Sequence, residues 1–296
     1  MDLKVYLGER RVIIDRALEA YFPAPEGPAS SVIEAMRYSV FAGGKRLRPI
    51  LGMAGAAAVG GEEMDVLPVA SALELIHTYS LIHDDLPALD NDDTRRGKPT
   101  NHKVFGEAIA LLAGDGLLTE SFALMTSQEM TERFAPDLIV RVIGIISRAA
   151  GYQGMVGGQV VDIESEGKRV ALPVVEFIHT HKTGALIEAS VTCGAMLGRG
   201  SDGDVEATSS YGKKIGLAFQ IADDILDIEG ESEKMGKAVG GDRKRGKVTY
   251  PAVLGMRRSK DIQAELVEEA IDSLRQLDHK ADPLREIASY IINRKK

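Results

Sequence analysis

Helical spacing of apolar residues is the dominant pattern of this chain and the feature that most constrains its fold. Near the amino terminus, Val12, Ile13, Ala17, Leu18 and Tyr21 form one apolar stripe, which is typical of an amphipathic helix. No stretch alternates apolar and polar residues with β-branched enrichment, so the sequence predicts no sheet. The same spacing predicts further helices over residues 30–42, 47–59, 65–84, 105–128, 137–164, 173–197, 204–228, 251–258, 261–277 and 283–293.

These helices predict one all-α domain over residues 1–296. Several are apolar over much of their surface, which favours central positions in a bundle of roughly ten or more helices. Proline and glycine mark the breaks, with a linker at 23–28, Pro173 in a first helical turn, and Gly198 and Gly200 at a helix end. No composition shift or internal repeat marks a domain boundary.

Composition excludes several classes of protein. The 296 residues are 44% hydrophobic and 27% charged, with a formal net charge of −8, as in an ordinary globular protein. The acidic balance argues against a nucleic-acid partner, and no run reaches the ~18 consecutive apolar residues of a membrane helix. Residues 1–11 lack an apolar run suited to a signal peptide, and Cys193 is the only cysteine. Together these features predict a cytoplasmic protein.

Two Asp-rich clusters stand out in this helical background. One runs from Asp84-Asp85 to Asp90, and the other from Asp223-Asp224 to Asp227. Positions four apart lie about 40° apart around a helix, so Asp223 and Asp227 share a face. Positions six apart diverge by about 120°, so Asp84 and Asp90 converge only if the helix ends between them. Pro87 supplies that break.

The setting of these carboxylates favours magnesium. Carboxylates among apolar residues are costly to bury unless a cation neutralises them. Oxygen ligands with no His or Cys alongside suit Mg²⁺ that completes its coordination with water and substrate phosphate. A single acidic run is usually a solvated loop, but here two Asp-Asp pairs both follow apolar helical stretches. The sequence therefore predicts magnesium sites at both clusters.

Basic residues at three places complete the pattern. The segment Gly43-Gly44-Lys45-Arg46-Leu47-Arg48-Pro49 puts two glycines and three cations at a predicted helix start. Arg95 and Arg96 follow the first acidic cluster, and Lys182-Thr183-Gly184 interrupts a predicted apolar helix. Flexible backbone, a helix amino terminus and Lys or Arg together form an anion site. In an acidic chain these cations predict two separate diphosphate pockets.

A di-iron carboxylate bundle is a competing interpretation. Glu74-x-x-His77 and Glu176-x-x-His179 are Glu-x-x-His pairs of the kind that ferritin-like sites use. Such a site also needs an inward Glu from each of two further helices, and it leaves both Asp clusters unexplained. Without a metal, His179 and His181 are expected to be ordinary surface or interface histidines.

An ordered set of motifs now connects the sequence to a known family. The motifs are Gly43–Pro49, residues 79–97 with the first Asp cluster, Lys182-Thr183-Gly184, Phe219-Gln220-x-x-Asp223-Asp224-x-x-Asp227, Gly236-Lys237 and Lys247-x-Thr249-Tyr250-Pro251. Over essentially its whole length the chain resembles short-chain trans-isoprenyl diphosphate synthases, most of all those of bacteria that make farnesyl diphosphate. The resemblance implies a homodimeric all-α bundle of the isoprenoid synthase type. Its deep central cavity would have the two Asp motifs facing each other at the mouth.

The resemblance also implies roles for individual residues. Asp84 and Asp90 resemble ligands of two Mg²⁺ ions and Asp223 the main ligand of a third, with Asp85, Asp224 and Asp227 as supporting acids. Arg95, Lys182 and Lys237 resemble the cations that hold the allylic diphosphate. Lys45, Arg48, His77 and Arg96 resemble the residues that hold isopentenyl diphosphate. Thr183 and Gln220 would stabilise an allylic cation, and Gln159 and Asp162 fit the family pattern without an assigned role.

The implied reaction joins isopentenyl diphosphate to dimethylallyl and then geranyl diphosphate, giving farnesyl diphosphate. Diphosphate can leave the allylic carbon when its developing charge is stabilised. The double bond of isopentenyl diphosphate then attacks the allylic cation, and loss of a proton to the departing pyrophosphate restores neutrality. A class I terpene cyclase is a more remote alternative. Its second metal motif is typically an Asn/Ser/Glu triad, and it has no use for the Gly43–Arg48 site.

Product length is predicted from the residues before Asp84. Tyr79 lies five positions before it and Ser80 four, about one helical turn deeper in the expected cavity. In similar enzymes, bulk at the five-before position accompanies a fifteen-carbon product. Tyr79 therefore favours farnesyl diphosphate, and a geranylgeranyl diphosphate synthase is the alternative.

Overall fold

Helices form nearly all of the regular structure in the computed structural model, which describes residues 1–229 and 246–293. The predicted all-α fold is confirmed. In chain order the α-helices are α1 (Leu3–Tyr21), α2 (Ser30–Val40), α3 (Leu47–Ala58), α4 (Leu67–Asp84), α5 (Asn101–Phe105), α6 (Glu107–Met125), α7 (Gln128–Arg133), α8 (Pro136–Ala150), α9 (Met155–Ser165), α10 (Leu172–Ile178), α11 (Ala185–Leu197), α12 (Asp202–Glu229), α13 (Tyr250–Leu254), α14 (Met256–Ser273) and α15 (Asp282–Asn293). Short 3₁₀ helices cover Glu63–Val66 and His279–Ala281.

The chain divides into two compact units, and the first comprises Asp2–Ile50 and Met64–Ile143. Its centre is α4, which packs along α6 and also contacts α1 and α2. Thirteen of the 18 residues of α4 are buried, because apolar side chains surround the helix as the sequence predicts. This burial fixes the position of the first Asp cluster at the carboxyl end of α4.

The second unit comprises Met1, Leu51–Glu63 and Gly144–Lys296. Here α12 is central, and α11 and α14 pack against it. Val175, Ile221, Ile225 and Tyr250 form a buried apolar cluster at the end of α12 that carries the second Asp cluster. The single domain over residues 1–296 and the deep central cavity stay predictions.

A minimal β-hairpin is the one departure from the all-helical prediction in the described part of the chain. Strands β1 (Thr94–Arg95) and β2 (Lys98–Pro99) pair antiparallel. They are joined by Arg96 and Gly97, whose φ angles of 54° and 76° are those a tight hairpin turn requires. The prediction of no sheet is wrong at this point, since two-residue strands are too short to show periodicity.

The predicted helix over residues 173–197 contains an inserted π-helical segment. It consists of α10, a π helix over His179–Gly184 and α11. Pro173 lies in the first turn of α10 and Gly198 caps α11, as predicted. The predicted helix over 137–164 is likewise broken, into α8 and α9. Single π turns inside α-helices occur often at functional sites.

The π segment packs directly on the backbone of α12. A Cβ atom at Gly216 would lie 2.7 Å from Cα of Gly184, so only glycine permits this approach. Lys182 and Thr183 immediately precede Gly184, and this contact therefore helps to position the Lys-Thr-Gly motif.

One helical stretch among the described residues, Glu107–Arg133, is long and apolar enough to cross a membrane by length and composition alone. It corresponds to α6 and α7. Core helices of globular proteins pass the same test, so one such stretch is weak evidence for a membrane span.

Gly216→Ala tests the close contact between α12 and the π segment. Because the new Cβ meets backbone atoms that cannot rotate away, we expect a loss of about 1–3 kcal/mol in the free energy of unfolding, measured by urea denaturation. Gly203→Ala on the same helix is the control, since the atoms nearest to its Cβ position lie 3.8 Å away, at an ordinary contact distance. Equal stability of the two variants would contradict the close packing.

Candidate active site

The chain turns sharply after α4 and brings Asp90 back beside Asp84. The helix ends at Asp84, and the Asp90 N–H donates to the Asp84 carbonyl at 2.8 Å. The Asn91 N–H donates to the Leu86 carbonyl at 3.1 Å, which tightens the same turn. The predicted break between the two carboxylates is confirmed, and both residues are half-buried.

Asp85 has a different environment, because it is buried and paired with Arg95. The Arg95 Nε donates to both Asp85 carboxylate oxygens at 2.8 Å, and Nη2 donates to Oδ1 at 2.6 Å. Such two-point pairing fixes the plane of the guanidinium as well as its distance. Asp85 therefore orients Arg95, which strand β1 carries toward the end of α4.

Four arginines gather around His77 on α4. This cationic cluster consists of His77, Arg46, Arg48, Arg95 and Arg96. Burial lowers the pKa of His77 well below 6.5, and the four guanidinium groups lower it further by repelling a proton. His77 is consequently neutral at pH 7, and the cluster carries the charge of its arginines.

Arg46 is the buried anchor of this cluster. Its guanidinium donates to Asp15 on α1 at 2.8 Å, to Glu74 on α4 at 2.7 Å and to the Val40 carbonyl at 2.7 Å. Its side chain and that of Glu74 are each only 2% exposed. Sequence reasoning missed this role, since only the folded chain shows that the middle cation of the Gly43–Pro49 segment points inward.

The pairing of Glu74 with Arg46 argues against the di-iron interpretation. Glu176 accepts a hydrogen bond from the Tyr250 hydroxyl at 3.3 Å, so it also has a protein partner. Within residues 1–229 and 246–293, no three His, Cys, Asp or Glu residues form a cluster that could hold a metal.

Arg48 is the residue most clearly prepared for an anion. Its Nε is buried and has no hydrogen-bond partner among the described residues. Burial lowers the pKa of Arg48 to about 10; Glu74 partly offsets this effect and repulsion from Arg96 adds to it. A buried guanidinium nitrogen without an acceptor is costly, and a bound diphosphate oxygen would satisfy it.

The glycines before Lys45 bring the loop against Arg96. Arg96 Nη1 donates to the Gly43 carbonyl, and a Cβ at Gly44 would lie 2.7 Å from Arg96 Nη1. Gly44 also has a φ of 136°, which side chains disfavour. The two predicted anion-binding segments of this unit therefore meet, with exposed Lys45 in the same loop.

In the second unit, one stripe of α12 carries the predicted polar residues. Gly216, Gln220, Asp223 and Asp227 recur at intervals of four, three and four, so they lie along one face of the helix. Gln220, Asp223 and Asp227 are half-buried. The stripe begins where Gly216 contacts Gly184, so it faces the π segment there.

Asp224 connects the start of the π segment to this helix. It is buried, and it accepts from His179 Nε2 at 2.8 Å and from the Tyr250 N–H at 2.9 Å. The π segment thus contacts α12 at Asp224 through its first residue and at Gly216 through its last. Lys182 and Thr183 consequently lie alongside the intervening stretch, which contains Gln220.

The burial of His179 corrects one expectation. His179 is 4% exposed and stacks on the Tyr250 ring, with centroids 5.4 Å apart. It is a buried histidine and does not lie at the surface: its Nε2 has a carboxylate partner in Asp224, whereas its buried Nδ1 has no hydrogen-bond partner among the described residues.

Lys182 is held from the neighbouring helix α9. Its Nζ donates to Asp162 Oδ2 at 2.6 Å, and Lys247 Nζ lies 4.0 Å from the same oxygen. Asp162, for which the sequence suggested no role, therefore positions a cation of the Lys-Thr-Gly motif. Gln159 lies one turn earlier on α9, and the predicted cation Lys237 lies outside the described residues.

The two Asp pairs fit Mg²⁺ by their donor chemistry. Asp84 with Asp90, and Asp223 with Asp227, each offer two carboxylates and no nitrogen or sulfur ligand. Mg²⁺ in proteins is usually bound by one or two carboxylates together with waters and substrate phosphate. Sites of this kind are completed by a diphosphate, which accounts for the lack of a larger preformed cluster among the described residues.

Tyr79 occupies the predicted chain-length position one turn before the first Asp cluster. It is 8% exposed, and burial, helped by the Asp84 charge, raises the pKa of its hydroxyl. Ser80 donates from Oγ to the His77 carbonyl at 2.9 Å, so the Ser80 hydroxyl is satisfied within α4. Tyr79 is therefore the bulkier of the two candidates for a cavity wall.

Comparison with known proteins decides the family. The polyprenyl synthetase family profile matches residues 30–290. The chain belongs to this family. It is 47% identical over 294 residues to the farnesyl diphosphate synthase of Geobacillus stearothermophilus, with 99% of this chain and 98% of that protein covered. It is also 47% identical over 297 residues to large subunit 1 of the chloroplastic heterodimeric geranylgeranyl pyrophosphate synthase of Arabidopsis thaliana, with 99% and 80% covered.

A solved structure agrees with these relatives. The apo crystal structure of a farnesyl/geranylfarnesyl diphosphate (FPP/GFPP) synthase from Zymomonas mobilis superposes with a TM-score of 0.88 at 38% identity, covering 98% of this chain and 99% of that one. The polyprenyl synthetase is thus an enzyme of the prenyltransferase class with trans-prenyl diphosphate synthase activity. Synthases named for different product lengths appear among its relatives, so similarity alone does not assign the product.

The position of His77 predicts an acid-dependent loss of stability. Because its pKa is lower in the folded than in the unfolded chain, the unfolded chain binds the proton first as the pH falls. We expect the free energy of unfolding to decrease as the pH falls below about 6.5, and to decrease less in His77→Gln. Urea denaturation of both proteins across this range measures the difference. An identical pH dependence would contradict the placement of His77 among four arginines.

Proposed function

We propose that this polyprenyl synthetase is a farnesyl diphosphate synthase, which joins isopentenyl diphosphate to dimethylallyl and geranyl diphosphate in a Mg²⁺-dependent reaction. The observation that carries the two-substrate reaction is the cationic cluster around His77. Its Arg48 Nε has no acceptor among the described residues, and the charge of Glu74 only partly offsets the burial of Arg48. A two-substrate synthase needs such a second diphosphate site.

Three members of the cationic cluster, Arg48, Arg96 and His77, would bind isopentenyl diphosphate. Arg48 and Arg96 would donate hydrogen bonds to its phosphate oxygens. Exposed Lys45 would add positive charge at the surface of the site, and neutral His77 would offer a ring N–H. Arg46 stays engaged with Glu74 and Asp15, so it holds the loop rather than the substrate. Because these residues would hold only the diphosphate end, the double bond of isopentenyl diphosphate stays free to react with the allylic substrate.

The carboxylates would serve the allylic substrate. Asp84 and Asp90 would hold Mg²⁺, and so would Asp223 with Asp227. When bound, Mg²⁺ offsets the charge that develops on the departing diphosphate. The family resemblance assigns Arg95, oriented by Asp85, and Lys182, held by Asp162, to the binding of the allylic diphosphate. Three ions are expected from the family resemblance.

Thr183 and Gln220 would stabilise the allylic cation. Both lie where the π segment runs along α12, and both offer an oxygen without a negative charge of its own. Such dipoles stabilise a cation without reacting with it. The departing pyrophosphate would then accept the proton that is lost, since neither side chain is a base at neutral pH.

Two further candidates are weaker. A geranylgeranyl diphosphate synthase is supported by the name of the Arabidopsis relative, but the buried ring of Tyr79 favours the shorter product. A class I terpene cyclase would have no use for the cationic cluster. We further propose a homodimer, as the resemblance implies, and a cytoplasmic location, of which a single cysteine is typical.

Loss of either magnesium-binding pair should abolish most activity. We expect Asp84→Ala and Asp223→Ala each to lower kcat by at least ~100-fold, because the charge on the leaving group is no longer offset. Asp93→Ala is the matched control, since this nearby carboxylate is exposed and paired with Lys103. Steady-state kinetics at saturating Mg²⁺ measures the effect. Near-normal turnover in a folded Asp84→Ala or Asp223→Ala protein would contradict the proposal.

Arg48 should be selective for one of the two substrates. Arg48→Met and Lys45→Ala are expected to raise KM for isopentenyl diphosphate by about 10-fold or more, with a much smaller change in KM for geranyl diphosphate. Arg37→Ala, which removes a half-buried arginine paired with Glu19, controls for loss of charge. Equal increases in both KM values would rule out separate diphosphate sites.

Tyr79→Ala should lengthen the product. Removing the ring opens space one turn below Asp84, so we expect the products from isopentenyl and geranyl diphosphate to shift toward twenty carbons or more. Tyr79→Phe keeps the bulk and should keep the fifteen-carbon product. Chromatography of the dephosphorylated prenols measures chain length. If Tyr79→Ala still stops at fifteen carbons, Tyr79 is not the limiting wall.

A further inference from the structure

We infer that His83 and Gly114 set product length together with Tyr79, by holding the Tyr79 ring in place. His83 is a positioning residue in this account, and Gly114 makes room for it. The inference rests on the proposed function, in which Tyr79 limits chain growth. It extends product control from α4 to a residue on α6 that no motif of the sequence marks.

The ring of His83 packs edge-on against that of Tyr79. The two residues are four positions apart on α4, so they lie on one face. Their ring centroids are 5.7 Å apart and the planes meet at 78°. An edge-to-face contact of this kind favours one orientation of the Tyr79 ring. A wall that limits chain growth must keep its side chain from rotating away, and His83 supplies that restraint.

His83 is in turn held by α6. Its Nε2 lies 3.0 Å from the Leu111 carbonyl oxygen. A carbonyl can only accept, so Nε2 carries the hydrogen and donates it. Asp115 Oδ1 lies 3.9 Å from the same nitrogen. These contacts fix the imidazole between Tyr79 and the backbone of α6.

Gly114 provides the space that the imidazole occupies. A Cβ atom at this position would lie 2.1 Å from His83 Nε2 and 2.4 Å from Cδ2. Leu111, Gly114 and Asp115 are spaced three and one apart, so they form one face of α6 toward His83. Any larger residue at 114 would move the ring away from the Leu111 carbonyl and from Tyr79.

The contacts of His83 could instead serve only to pack α4 against α6. Product chain length distinguishes this packing role from a role in restraining the Tyr79 ring. A packing defect lowers stability and overall rate, but it gives no reason for the ratio of twenty- to fifteen-carbon product to change. Loss of restraint on Tyr79 raises that ratio. If His83 acts through Tyr79, its effect must disappear once the Tyr79 ring is gone.

A double-mutant cycle tests the inference in the full-length enzyme. The proteins are the unmodified chain, His83→Ala, Tyr79→Ala and the double variant, each supplied with Mg²⁺, isopentenyl diphosphate and geranyl diphosphate. We expect His83→Ala to raise the product ratio by about 5-fold or more, and the double variant to match Tyr79→Ala. An unchanged ratio in His83→Ala, or two effects that multiply in the double variant, would overturn the inference.

A glycine pair on α6 supplies an independent test. Gly114→Ala should raise the product ratio as His83→Ala does, since both take the imidazole out of its place. Gly116→Ala is matched in helix propensity, but its Cβ meets only the flexible end of Met36, with Sδ at 2.9 Å. It should leave the ratio unchanged. Equal ratios in the two glycine variants would overturn the role of Gly114, and should Gly114→Ala fail to fold, the cycle above still decides.

Failure of the proposed function is visible separately in the same experiment. If the unmodified enzyme releases twenty-carbon product, the farnesyl assignment is wrong. The His83 inference is then judged by the ratio of twenty-five- to twenty-carbon product across the same variants.

Discussion

The buried ion pair between Arg46 and Glu74 is the interaction on which the first half of the site depends. Four guanidinium groups act on one histidine in this unit, and like charges near one another repel. Glu74 and Asp85 are buried carboxylates that offset part of this charge. Arg46 ties Glu74 to α1 and to the end of α2. Removing one partner of such a pair leaves an uncompensated buried charge.

The same principle recurs at the other charged residues of the site. Arg95 is oriented by Asp85, and Lys182 by Asp162, before any substrate is bound. Pre-oriented cations need little rearrangement when a diphosphate arrives, which is how an enzyme stabilises charge that develops during a reaction. The carboxylates that we propose as Mg²⁺ ligands belong to the same two units, so each unit would offer both cations and carboxylates to a diphosphate.

Sequence reasoning identified the charged residues of the candidate site better than it identified the residues with which they pair. The break between Asp84 and Asp90 was predictable, because Pro87 and helix geometry allow only one way for the two to converge. The helical fold followed from periodicity, but the π segment did not. The polar residues from His179 to Gly184 interrupt the apolar pattern without indicating how the backbone winds there. The inward turn of Arg46, the pairing of Asp162 with Lys182 and the burial of His179 all depend on contacts distant in sequence. Local patterns contain no signal for these.

The measurement that tests the account most directly supplies the unmodified enzyme with Mg²⁺, isopentenyl diphosphate and one allylic diphosphate at a time. The account predicts that dimethylallyl and geranyl diphosphate are both extended to farnesyl diphosphate, and that farnesyl diphosphate itself is a poor substrate. Ready extension of farnesyl diphosphate would contradict the assignment of product. Consumption of an allylic diphosphate without isopentenyl diphosphate, giving a cyclic hydrocarbon, would contradict the two-substrate site itself.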